Sequence, residues 1–153
     1  MATAPSLPSR LDFLKDYVLK TYSMKPNRIV IEVDSKYVHK VFELFREKLG
    51  FPNFYISTIA GTDFPKKNTI RVDYYVVVLP EEQTIVIRTY LPRDEPKIAS
   101  IIDIVPGALA GECETYDLLG VYFEGNRFLK RAFFVPTDVV EKGIFPLRKD
   151  SKV

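Results

Sequence analysis

Leu11, Leu14, Tyr17 and Val18 recur at helical spacing behind Ser9. That spacing predicts a helix over residues 10–22 with Ser9 as its cap. Residues 28–33 (RIVIEV) alternate and are rich in β-branched side chains, which predicts a strand. A second helix is predicted from Asp34 or Ser35 to Leu49, because Val38, Val41, Phe42, Phe45 and Leu49 fall on one stripe and Gly50 ends it. Residues 54–60 read as a strand and 61–68 as a turn-rich connection. The two clearest strands are 70–79 and 84–91, joined as a hairpin through Pro80-Glu81-Glu82-Gln83.

Beyond a loop at 92–96 and a short apolar run at 100–105, Pro106-Gly107 opens a helix that runs to Leu119 and closes at Gly120. Residues 121–123 and 132–135 are candidate short strands. The rest of 125–153, with Pro136, Gly143 and Pro146, has little periodicity. The layout predicts an α+β fold: a mixed or antiparallel sheet, helices on one face, and an irregular extended C-terminal tail. Three segments are expected: a flexible arm at 1–9, a single α+β domain at 10–126, and a basic, apolar docking tail at 127–153.

The chain has 153 residues, which fits one domain able to bury a core without staples. Its single cysteine, Cys113, and single histidine, His39, exclude a disulfide framework and any Cys/His metal cage built from this chain alone. No apolar run reaches the ~18–20 residues of a membrane span, and residues 1–10 do not read as a signal peptide. The expected class is soluble and intracellular. One glutamine against ten Glu and thirteen Lys is weak evidence for a thermophilic source.

The formal net charge of +2 hides a strong asymmetry. Residues 98–126 contain no Lys or Arg but five acids: Asp103, Glu112, Glu114, Asp117 and Glu124. Residues 127–153 contain seven bases against three acids. Glu112, Glu114 and Asp117 lie within two turns of one helix with no base among them, and like charges at that spacing repel unless something basic approaches. They predict either a docking face for Arg or Lys groups, from the tail or from another chain, or a plain solvated face. Leu109, Cys113 and Tyr116 are the expected buried stripe of that helix. Burial and neighbouring acids both work against a reactive thiolate at Cys113. His39 reads as a lone surface histidine. The glycines match no phosphate-binding spacing. Tyr74 and Tyr75 sit on one strand with Arg71, but adjacent strand residues face opposite sides, so only one can join a stacking platform. In the tail Phe128, Leu129, Phe133, Phe134, Val139, Val140, Ile144, Phe145 and Leu147 need a surface to cover, which argues for an interface of ~1,600 Å² or more.

Four ordered blocks carry a family resemblance: Asp103-Ile104-Val105-Pro106-Gly107-Ala108; Glu112-Cys113-Glu114-Thr115-Tyr116-Asp117-Leu118-Leu119-Gly120-Val121; Phe123-Glu124-Gly125; and Pro146-Leu147-Arg148-Lys149-Asp150. In this order they resemble the C (30-kilodalton) subunit of NADH:quinone oxidoreductase, respiratory complex I, and its homologues in energy-converting membrane-bound hydrogenases. Cys113 stands where the family has an arginine, Asn126-Arg127 where it has His-Pro, and Phe145 where it has a histidine. Residues 57–63 look more like the hydrogenase branch, and both parent complexes stay open.

The resemblance implies a non-catalytic structural subunit of a hydrophilic arm, without cofactor or metal. Its implied partners are the large catalytic subunit (quinone-site or nickel–iron) and neighbouring iron–sulfur subunits. The implied location is cytoplasmic, at the membrane only through those partners. The implied interface comprises Glu112, Glu114, Tyr116, Asp117, Gly120, Gly125, Arg127, Arg131, Pro146, Leu147, Arg148, Lys149 and Asp150. Two alternatives compete: a stand-alone small enzyme using Glu112, Glu114 and Asp117, and an RNA-binding module.

Overall fold

A computed structural model describes residues 5–152. Residues 1–4 of the expected N-terminal arm, and Val153 at the tail end, lie outside the described residues. The scaffold is a five-stranded mixed sheet in the order β1-β2-β5-β4-β3. Its strands are β1 (Val18–Met24), β2 (Arg28–Val33), β3 (Phe54–Phe64), β4 (Thr69–Val78) and β5 (Gln83–Pro92). β2 and β5 pair in parallel and the other pairs are antiparallel. Helix α1 (Val38–Lys48) supplies the crossover layer.

The period-2 pattern of the central strands explains the layering. Ile31, Ile85, Ile87, Val72, Tyr74 and Val76 share one sheet face, and α1 lays Val38, Val41, Phe42 and Phe45 onto it. The aromatic rings interlock there: Phe42 and Tyr74 centroids lie 5.3 Å apart, and those of Phe45 and Phe54 5.4 Å. The opposite face carries a polar core. Arg88 forks onto Asp73 at 2.7 and 3.0 Å and donates to the Tyr22 hydroxyl, which donates to Glu32.

α2 (Leu109–Leu119) rests against β3. Two glycines allow the approach. A Cβ at Gly111 would stand 3.0 Å from Ile59 Cβ, and one at Gly61 would collide with the Leu119 side chain. Gly61→Val is therefore expected to lower stability by about 1–3 kcal/mol through overpacking. Gly107→Ala, with open space around it, should leave the melting temperature unchanged within a degree or two. Thermal unfolding of the two variants checks this, and equal melting temperatures would contradict it.

Three expectations are corrected. The predicted helix at 10–22 is a 3-10 helix over Ser9–Tyr17 followed by β1. Only Leu11 and Leu14 bury there, while the β-prone stretch Val18–Met24 pairs with β2 and completes that side of the sheet. The cap is Pro8, with no side-chain bond from Ser9. β3 continues through Gly61 to Phe64 rather than stopping at Ala60, because Gly61 admits α2 instead of turning the chain. No strand forms at 132–135. Those amides donate to a side chain instead, and a short helix, α3 (Thr137–Glu141), follows. β6 (Lys97–Ala99) and β7 (Tyr122–Glu124) form a separate parallel pair, one residue beyond the predicted 121–123 at its second strand.

Candidate partner interface

Two carboxylates of α2 are fully buried, and each ties distant segments together. Glu112 Oε2 accepts from Ser100 Oγ (2.6 Å) and Asn126 Nδ2 (2.9 Å), and Oε1 accepts from the Ile101 amide (2.8 Å). Burial pushes its pKa up, against the pull of those three donors. Asp117 Oδ1 accepts from Arg131 Nε and the Ala132 amide, both at 3.0 Å. Its Oδ2 accepts from the amides of Phe134 (2.7 Å) and Val135 (2.9 Å). Burial opposes its ionisation. The Val135 and Phe134 amides, the Arg131 guanidinium and the Ala132 amide outweigh that cost and hold the carboxyl below its ordinary range. These two acids lie in the interior and offer nothing to another chain. Neither has surface on which a substrate could be touched, so of the three acids in the carboxylate-based enzyme reading only Glu114 reaches solvent.

The Pro146–Asp150 block clamps the same helix end. The Leu147 amide donates to Leu118 O (3.0 Å) and Arg148 Nε to Leu119 O (2.8 Å), so the last carbonyls of α2 are capped by a cation. Gly120 holds the left-handed turn at φ +79°, and the Phe145 ring lies 3.1 Å from where its Cβ would be. Arg131 sits 4.1 Å above that ring and Arg148 5.7 Å from it. Further along, the Lys149 amide donates to Asp63, and Arg93 bridges Asp63 and Asp150, each at 2.7 Å at its closest.

Asp63, Asp117 and Asp150 all titrate below their ordinary value of 3.8: Asp63 chiefly through Arg93, Asp117 as above, and Asp150 chiefly through Arg93. A depressed folded pKa means that the unfolded chain takes up the proton first. Their contribution is thus complete above pH 3.8 and is lost as pH falls through the lower folded values. Glu112 runs the other way: its raised pKa costs stability as pH rises from 4.5 through the folded value. The tail is therefore expected to detach in acid before the sheet opens. Pepsin should cut residues 127–152 between pH 4 and 2 while the sheet stays intact. Simultaneous cleavage of both would contradict this.

Other expected interface residues are partly or wholly exposed. Glu114, Tyr116, Gly120, Arg131, Pro146 and Arg148 are half-buried. Gly125, Arg127, Leu147, Lys149 and Asp150 are exposed. Around them lies apolar surface that charge counting does not single out: Phe134 (60%), Leu147 (53%) and Phe128 (47%) are the most open. Phe128, Phe133, Leu109, Arg127 and Lys130 line a groove of about 720 Å³ between the start of α2 and the tail. Cys113 is buried at its base, its thiol pushed up by burial and by the Glu112 charge. His39 is not alone: Nε2 lies 3.1 Å from Asp103 and Nδ1 3.4 Å from Glu43, linking α1 to the 100–105 loop. Tyr74 is buried on the helix-covered face, so of the two tyrosines only Tyr75 reaches the open one. Among the described residues no helix is long and apolar enough to cross a membrane, and no cluster of three or more His, Cys, Asp or Glu forms a metal site.

Residues 31–153 match the family described as the respiratory-chain NADH dehydrogenase 30 kDa subunit. The chain is 30% identical over 125 residues to the C subunit of the F(420)H(2) dehydrogenase of Methanosarcina mazei, covering 82% of this chain and 76% of that one. It is 34% identical over 108 residues to the C subunit of the NADH-quinone oxidoreductase of Moorella thermoacetica, covering 71% and 69%. It also matches part of the C/D 2 subunit of the NADH-quinone oxidoreductase of Aquifex aeolicus, at 33% identity over 119 residues, covering 78% of this chain and 19% of that protein. Among solved structures, the membrane-bound sulfane sulfur reductase, an archaeal respiratory membrane complex, contains a chain that superposes with a TM-score of 0.75 at 25% identity, covering 93% of this chain and 82% of that one. The buried acids of α2, the clamp at its end and these matches lead to one conclusion: the chain belongs to the family of the 30-kilodalton, or C, subunit of respiratory-chain NADH dehydrogenase and its relatives.

Proposed function

We propose that this chain is a non-catalytic subunit that docks the large catalytic subunit, quinone-site or nickel–iron, of a complex-I-like membrane-bound oxidoreductase. It lies beside the neighbouring iron–sulfur subunits on the cytoplasmic face. Electrons pass through cofactors held in other chains, since one Cys and one His cannot ligate an iron–sulfur cluster or a nickel–iron centre. The observation that carries the reading is the division of labour in the last third of the chain. Most charged groups of the α2 and Pro146–Asp150 blocks are satisfied within the chain, Glu112 by Ser100 and Asn126, Asp117 by Arg131 and nearby amides, Arg148 by Leu119 O and Asp150 by Arg93, while Phe128, Phe133, Phe134 and Leu147 stay outside. Exposed aromatic and aliphatic side chains flanked by Arg127 and Lys130 have the make-up of an interface core. The Aquifex aeolicus relative, whose name joins C and D in one chain, supports a neighbour of the D type.

On this reading Arg127, Leu147 and Lys149 touch the partner. Glu112, Asp117, Arg131 and Arg148 act at one remove, by shaping the surface. Lysine-directed cross-linking of native membranes tests it. Lys130 and Lys149 are expected to link to peptides of the large subunit. Links only within this chain would overturn the proposal.

A further inference from the structure

β3 is an edge strand of eleven residues, and its outward side has no backbone partner among the described residues. Edge strands normally carry devices that discourage pairing, such as short length, lysines, proline or a β-bulge. The opposite edge, β1, is seven residues long and carries Lys20. β3 reads FYISTIAGTDF, with no Lys, Arg, Glu or Pro. Its one charged residue, Asp63, is buried against Arg93. Its one such device is a register irregularity at Ile56/Thr58, and the residues from Thr58 to Phe64 run in unbroken register.

A slot of about 220 Å³ opens beside this edge, lined by Thr58, Ala60, Gly61, Glu114, Leu118 and Leu147. Its walls mix apolar side chains with Thr58, Thr115 and Glu114, a half-buried carboxylate that no cation pairs with among the described residues. Leu147, 53% exposed, stands on the same rim.

From the long open edge, the slot beside it and the unpaired acid together, we infer that β3 receives an added strand. The occupant is an extended segment of another polypeptide, carrying an apolar side chain for the slot and a Lys or Arg for Glu114. Backbone bonds along the edge supply affinity, and the slot with its acid supplies register and selectivity. The inference rests on the docking reading above and names the chemistry the partner brings.

Hydrogen exchange of the full chain tests it, in dilute isolation and in the assembled complex purified from native membranes. Alternate amides of residues 55–61 are expected to slow about tenfold or more in the complex. Glu114→Lys should cut recovery of the complex by a similar factor, with Glu114→Gln closer to wild type and both variants keeping the wild-type melting temperature. Unchanged 55–61 amides in a complex that protects 127–135 would overturn strand addition and leave docking standing. A chain recovered with no partner would overturn docking itself. Slowing of 55–61 in the isolated chain on concentration alone would make the occupant a second copy and overturn the partner assignment.

Discussion

Asp117→Ala is expected to destabilise the chain by about 3–5 kcal/mol, the range for removing one partner from a buried charged network. Four donors converge on this carboxylate: one guanidinium and three backbone amides. An alanine leaves all four unpaired, and an unpaired buried donor costs more than the bond it lost. Asp117→Asn keeps one acceptor oxygen and replaces the other with a donor facing amides. It should fall between wild type and alanine. Denaturant unfolding measures the loss, and hydrogen exchange should show residues 131–135 opening first. A variant within 1 kcal/mol of wild type would contradict the anchoring role.

Deleting residues 144–153 is the second large change. It removes the Phe145 ring from Gly120, the Arg148 cap from Leu119, and the Lys149 and Asp150 ties to Asp63 and Arg93. At about 1 kcal/mol net per hydrogen bond, with more for charge-assisted ones, the cost is on the order of 3–4 kcal/mol. The five-stranded sheet and α1 do not depend on these contacts and should stay folded, while the end of α2 frays. Circular dichroism and proteolysis of 109–120 read the two parts separately. The docking proposal adds a second effect: partner association should fall with the truncation even at temperatures where the body is intact. A truncated chain as stable as wild type would show that the clamp contributes nothing.

The gap between sequence and structure follows physical lines. β2, α1, α2 and the β4–β5 hairpin are readable because local pattern and tertiary need agree: RIVIEV alternates where one sheet face is buried, and Gly120 ends α2 where a left-handed turn is required. The N-terminal helix is misread because Leu11, Leu14 and Val18 mimic a helical stripe while β2 offers an edge to pair with. β3 is cut short because Gly61 resembles a breaker, when its role is to let Leu119 approach. Glu112 and Asp117 look like an exposed acidic face because charge counting sees only side chains. Most of the groups that neutralise or satisfy them are a hydroxyl, an amide side chain and backbone N–H groups from segments 11 to 18 residues away. Arg131 is the exception, and a basic approach from the tail is among the readings the residue pattern leaves open. His39 likewise gains Asp103 from 64 residues along the chain. Such partners leave no local signature.

The last third of the chain divides into two roles. Its charged blocks look made for another subunit, yet they build the clamp at the end of α2. The uncovered aromatic and aliphatic residues form the outer surface. Affinity purification of the tagged full chain from native membranes, with the recovered proteins quantified, tests the docking claim most directly. A large catalytic subunit is expected in near-equal amount, and the presence or absence of its nickel-binding cysteine pairs would assign the parent complex. Recovery of this chain alone, folded and without a large subunit at any ionic strength tried, would contradict the account.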